Sequence, residues 1–513
     1  MNWNLLHKLI LVPVLILLMT LGWGRGIVAG EGGDAEDKKP KAGGLTLKVK
    51  ETSLGKAHEG IIPSSLTISP DSRHVAYIAK QGEKTLVVVD GKEGKECDDI
   101  AGITFSSDSK RVAYFARRTE KVLAVVDEKE GLEYDSIGNL IFSPDSKHFA
   151  YIALRGEKCV VVVNGKEEKE YDDIGSLIFS PDSKRVAYAA WRGKKWLVVV
   201  DGKEGKEYDG IMEGYPIFSP DSKHLAYTAW RGEKMLVVVN EKEEKEYDGI
   251  MEDSPVFSPD SKHVAYAALH GEKWLVVLDE EEGKEYDKIG KDTLIFSPDS
   301  KRIVYSAGRG EKWLVVVDGT EGNEYDGIME GGLIFSPDFK HVIYSAKRGE
   351  KWLVVVDITE EKEYDNIGKD SLFFSPDSKC FTYTAQRGGK WLVVKDKKEG
   401  AEYDGIGGLT FSLNSNRLAY YAKRGEKWLV TVNEKAGVEY EGITNSIFSP
   451  DSKRLAYMAQ RGEKWLVVVD GKETAEYDTF LRGSRLVFDS PNRLHGLALR
   501  DGEIFLVEIE ITE

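Results

Sequence analysis

The residues able to do chemistry in this chain recur at fixed spacing. His74, His148, His224, His263 and His341 occupy one repeat position, where other copies carry Arg111, Arg185, Arg302 and Arg454. Arginine cannot ligate a metal, so a position that alternates between the two residues reads as a basic surface site. The recurring Ser-Pro-Asp-Ser, as at Asp182, lacks the clustered oxygen ligands of a calcium loop, and its Asp and Ser suit a capped turn. No G-x-S-x-G nucleophile elbow, phosphate-binding loop or dinucleotide fingerprint occurs. The expectation is a non-enzymatic protein with no cofactor and no metal.

Those residues belong to a longer repeat. Aligning each copy on the apolar residue before the turn gives Ile68, Phe105, Phe142, Phe179, Phe218, Phe257, Phe296, Phe335, Phe374, Phe411, Phe448 and Phe488, twelve units spaced 37 to 40 residues apart. A period of this length marks a solenoid, a propeller or an array. Within one copy, Ile178 to Ser180 is a short strand that ends in the turn at Pro181. Arg185 to Trp191 is a second strand, the valine-rich Trp196 to Asp201 a third, and Lys206 to Ile211 a polar fourth. Runs such as WLVVV have no helical period. A four-stranded unit must pack its faces against its neighbours around an axis, so the expected fold is an all-β propeller of twelve four-stranded blades. No linker interrupts the period, which favours one closed ring over two rings of six. The last unit has three strands, and residues 56–61 align with a fourth strand, so they are expected to complete the last blade.

FSPDSKRVAY resembles the WD-like propeller repeat of the TolB family and of the N-terminal propellers of dipeptidyl-peptidase-type proteins. The resemblance spans nearly the whole repeat region and implies the propeller fold. Tyrosine recurs in the second strand of eleven units, and tryptophan opens the third strand at Trp196, Trp274, Trp313, Trp352, Trp391, Trp428 and Trp465. Because they recur in most units, these rings are expected to pack blade against blade.

Residues 1–29 combine Lys8, an apolar run from Leu9 and small residues near Ala29, the layout of a signal peptide, with an uncleaved anchor as the alternative. Residues 30–43 are polar and Gly-rich and read as a flexible tether, with the propeller over 44–513. The chain is therefore expected to be exported, periplasmic or extracellular, with no stable membrane span after cleavage. A net charge of −16 disfavours nucleic acid as a partner. Cys97, Cys159 and Cys380 each replace a different repeat residue and form no disulfide framework.

The informative residues are departures from the repeat. Segments ahead of five turns, IMEGYP, IMEDSP, IGKDT, IMEGG and IGKDS, are two residues longer than their counterparts. In the propellers that the repeat resembles, these connections share a face with the hairpin between the second and third strands. Leu154, Trp191, Trp230 and Leu269 close the second strand of four successive units, where Lys80, Arg117, Lys347 and Lys423 stand elsewhere. Together with Met212, Glu213, Tyr215, Met251 and Glu252 they form the candidate surface for a protein or peptide partner, an apolar sector with an acidic rim. Packing variation at a strand end is the alternative for these residues. For the whole chain, the alternative is a small-ligand, carbohydrate-binding or lyase-type propeller that works through the central channel.

Overall fold

The computed structural model describes residues 45–512 except 215 and 253. The expected signal peptide (1–29) and tether (30–43) lie outside the described residues.

The sheet of residues 173–208 illustrates why the strands form. Asp173–Phe179, Val186–Arg192, Lys195–Val200 and Lys203–Tyr208 are hydrogen-bonded in chain order. Val200 lies opposite Lys203, which leaves Asp201 and Gly202 as a two-residue turn with φ of 51° and 74°. Two left-handed residues in succession make the turn that matches strand twist, which is why Asp-Gly and Asn-Gly recur there. Leu197, Val198 and Val199 are buried on both faces of the sheet, the environment that favours a β-branched run.

Twelve such sheets occur among the described residues. In chain order, blades 1 to 12 span 67–93, 99–134, 136–171, 173–208, 210–247, 249–282, 288–321, 327–360, 366–399, 405–440, 442–473 and 479–512. Twelve buried apolar clusters accompany them, each drawing residues from two neighbouring blades. One cluster joins blades 6 and 7 through Val276 and Val316, and another joins blades 12 and 1 through Leu497 and Tyr77. Two rings of six would break the first contact and close each ring on itself, so the blades form one ring of twelve.

The first strand of each sheet lies nearest the axis. First strands of neighbouring blades touch directly, as where Phe373 meets Phe411 edge-to-face at 6.4 Å. Outer edges of neighbouring blades are bridged by long side chains such as Lys95 to Glu130 at 2.8 Å.

Three boundaries differ from the sequence reading. The fourth strand is Lys203–Tyr208, and Gly210 and Ile211 pair with Trp230 and Ala229 in the next blade. The closing strand is Thr46–Lys56, antiparallel to Glu503–Thr512, whereas Ile61 bridges Ala79 in blade 1. Of the expected 56–61, Lys56 pairs with Glu503 and Ala57 donates its N–H to the Gly502 carbonyl at 2.8 Å, while His58 and Ile61 turn to blade 1. Finally, the two-residue extensions interrupt the axial strand partway along: in blade 5 the ladder is made by Gly210–Ile211 and resumes at Ile217–Phe218. They lie on the axial edge and not on the face of the hairpins.

Candidate functional site

Most recurring polar residues are occupied in holding blade to blade. In the Ser-Pro-Asp-Ser turn, Ser180 Oγ donates to Asp182 Oδ1 at 2.7 Å and accepts the Arg185 N–H at 3.0 Å. Asp182 Oδ1 accepts the Lys184 N–H at 3.2 Å, and these donors hold its carboxyl below the usual carboxylate range. Ser183, with φ of 65°, turns its hydroxyl to the preceding blade and accepts the Asp145 N–H at 2.9 Å. Equivalent bonds cross eight further seams. At the seam of blades 7 and 8 this serine is replaced by Phe339, whose φ is 64°.

A second set of bonds runs near the outer edge. Tyr171 donates its hydroxyl to Glu204 of the next blade at 3.0 Å, and Arg192 pairs with the same carboxylate at 2.9 Å. The Lys169 ammonium and this pair hold the Glu204 carboxyl down to about 2. At the ring closure the carboxylate comes from the other end of the chain: Tyr477 donates to Glu51 at 2.8 Å and Arg500 pairs with it. A third bond joins Asp172 to the Gly193 N–H of the following hairpin at 2.6 Å.

The second-strand tyrosines are buried between blades, with Tyr188 edge-to-face on Tyr171 at 6.1 Å. The His/Arg position ties the second strand to the end of the third, through His74 to Asp90 at 2.7 Å and Arg185 to Asp201 at 3.2 Å. Among the described residues no cluster of His, Cys, Asp and Glu could hold a metal ion.

The structure brings part of the candidate surface together. Leu154, Trp191, Trp230 and Leu269 hold equivalent register positions on blades 3 to 6, opposite Cys159, Trp196, Met235 and Trp274. Trp191 stacks on Trp196 at 6.5 Å and remains 36% exposed. The Trp230 ring lies over Gly210, where a Cβ would meet its Cζ2 at 1.8 Å. Leu154 and Leu269 are half-buried. The rest of the expected surface is elsewhere. Met212 and Met251 pack into the seams of blades 4/5 and 6/7. Glu213 and Glu252 are exposed on the axial edge, Glu252 pairing with Lys291 at 3.2 Å. The acidic rim therefore lines the axis and not the apolar sector. Tyr215 lies outside the described residues.

A correlation between strand and loop went unread in the sequence. The fourth residue of each second strand faces the seam with the following blade. It is large, as Ile78, Phe115, Ile152 and Tyr421, where that blade's axial strand runs uninterrupted. It is small, as Ala189, Thr228, Ala267, Ser306 and Ser345, where that blade carries the extended loop. Thr228 Oγ1 donates to the Ser254 carbonyl of the next loop at 3.2 Å, and Ala189 packs with Met212. Two positions break the pattern: Met458 is large although the axial strand of blade 12 is interrupted between Phe480 and Val487, and Thr384 is small although blade 10 has an uninterrupted axial strand with Gly407 and Gly408. Both fillers are missing at once, and a cavity of about 300 Å³ opens there. Its lining includes Phe373, Trp391 and Leu409 together with Asp370, Ser371 and Thr384.

No known protein-family model matches the chain, and no curated protein matches it. Solved structures similar to it include a eukaryotic initiation factor, 12% identical over 59% of this chain and 88% of that one, with a TM-score of 0.35. TolB from Acinetobacter baumannii is 18% identical over 50% of this chain and 77% of that one, with a TM-score of 0.24. Both likenesses span only part of the ring.

Proposed function

We propose that this chain is an exported, non-enzymatic propeller scaffold that binds a protein or peptide partner in the cell envelope or outside the cell. The observation that carries the reading is the apolar sector. Four consecutive blades place Leu154, Trp191, Trp230 and Leu269 at a strand end where other blades carry Lys80, Arg117, Lys347 and Lys423. The exposed Trp191 ring beside the half-buried Trp230, Leu154 and Leu269, on a protein whose recurring charges are already paired across seams, offers a partner its main source of desolvation energy. The apolar run and small residues of 1–29 support export.

The test compares Trp191→Ala/Trp230→Ala with Lys347→Ala/Lys423→Ala in partner recovery from an envelope fraction and in thermal unfolding. Aromatic anchors at an interface are worth on the order of 2 kcal/mol or more each. Recovery should therefore fall more than tenfold in the tryptophan variant while the fold survives. Rings that only pack blades would instead cost roughly 3–5 kcal/mol of stability. Lost stability with recovery intact would remove the sector from the interface.

A further inference from the structure

We infer that the cavity between blades 9 and 10 is a binding site for a neutral, polyhydroxylated ring, one sugar unit in size. It is independent of the apolar sector on blades 3 to 6 and of the partner proposed for it.

The cavity follows from the way the ring is filled. Extended loops in blades 5 to 9 need small facing residues in blades 4 to 8, and Ala189, Thr228, Ala267, Ser306 and Ser345 supply them. Thr384 continues the small series one blade past the last loop it would accommodate. Within its own blade it stays close to the loop, since a Cβ on Gly368 would meet Thr384 Oγ1 at 2.0 Å. The outer bond is missing at the same seam: Ala436 stands where Glu204 and its counterparts receive the tyrosine hydroxyl, so Tyr403 has no carboxylate facing it. The cluster at this seam has the fewest fully buried residues of the twelve, Val393, Tyr403, Leu418, Tyr420, Ala422 and Leu429.

The lining selects the ligand class. The half-buried Trp391 and Phe373 give an aromatic wall for a flat apolar face. Lys369 and Asp370, both exposed, place one cation and one anion together, so the site favours neither a net anion nor a net cation. Lys369 can only donate, Asp370 can only accept, and the Thr384 hydroxyl does both, whereas the Ser371 hydroxyl already donates to the Gly368 carbonyl at 2.7 Å and accepts the Thr384 N–H at 3.0 Å. A hydroxyl group donates and accepts at once, whereas a carboxylate only accepts and an ammonium only donates, so hydroxyls match this mixture best. At about 300 Å³ the space sits at the lower end of small-molecule sites.

The test titrates the full chain with maltose, N-acetylglucosamine and L-leucine by ligand-observed saturation-transfer NMR. Saturable binding of at least one sugar is expected, weakened tenfold or more in Trp391→Ala and in Thr384→Met, the latter supplying the side chain found at Met458. Trp352→Ala, the same position one seam earlier, should bind as the wild type does. If Thr384→Met fails to fold, Asp370→Asn replaces it with the same expected loss. Binding of neither sugar, sugar binding that survives these changes, or binding of L-leucine in place of the sugars would each overturn the proposal.

Discussion

Glu51 is the residue through which the two ends of the chain hold the ring shut. It lies in the closing strand Thr46–Lys56 and takes the place that Glu204 takes inside the chain, accepting from Tyr477 at 2.8 Å and from Arg500 at 2.8 Å. Glu51→Gln keeps an acceptor oxygen and the side-chain shape but removes the charge. Hydrogen bonds to charged groups contribute about 1.5–3 kcal/mol against about 0.5–1.5 for neutral ones, so the paired contacts to Arg500 should lose about 2 kcal/mol. Because every 1.4 kcal/mol is about tenfold, the strand should detach about 30-fold more often. Trypsin cleavage after Lys48 and Lys50 at neutral pH reads that opening, since both lysines are paired in the strand until it detaches. Glu204→Gln is the control, with the same local chemistry but no role in closure, and should leave that cleavage at the wild-type rate. The pH dependence has a definite sign. The Arg500 hydrogen bond holds the Glu51 carboxyl below its ordinary value. Its stabilisation is therefore present above the unfolded value of about 4.3 and lost as pH falls through the lower folded value. Wild type and Glu51→Gln should differ in thermal unfolding at pH 7 and converge in acid. Equal cleavage of the two proteins at neutral pH would refute this account of closure.

The turn serines give two more tests. Ser183→Ala removes the acceptor of the Asp145 N–H and should cost about 1–3 kcal/mol. Ser183→Gly loses the same bond but suits the left-handed φ of 65°, so its thermal midpoint should not fall below that of the alanine variant. Phe339→Ser should raise the midpoint, because it places a hydroxyl where Asp299 of blade 7 meets blade 8 and relieves a bulky residue of φ 64°. A lower midpoint would mean that packing of the Phe339 ring outweighs both effects.

Everything carried by local period is legible in the amino-acid sequence. The turn at Pro181, the valine-rich third strand and the recurrence of both over twelve copies follow from backbone geometry and side-chain alternation within one unit. Blade-to-blade packing of Tyr188 and its counterparts was legible for the same reason, since a residue that appears in nearly every copy answers a need that every copy has. How the copies meet depends on packing between blades. Ring size is set by the angle at each seam, and that angle depends on how residues such as Val276 and Val316 pack across it. The closing strand was displaced because residues 46–56 are paired by hydrogen bonds to a segment more than 440 residues away, where repeat alignment has nothing to compare. The edge that carries the extended loops is not legible in the sequence, because Gly210 and Ile211 look like the end of one strand and are the start of the next. Trp191 and Trp230 are visible as departures from the repeat, but Met212 packs into the seam of blades 4 and 5 and Glu213 is exposed on the axial edge. The cavity at Thr384 required knowing which side chain faces which loop, a relation between residues of neighbouring blades that only their packing establishes.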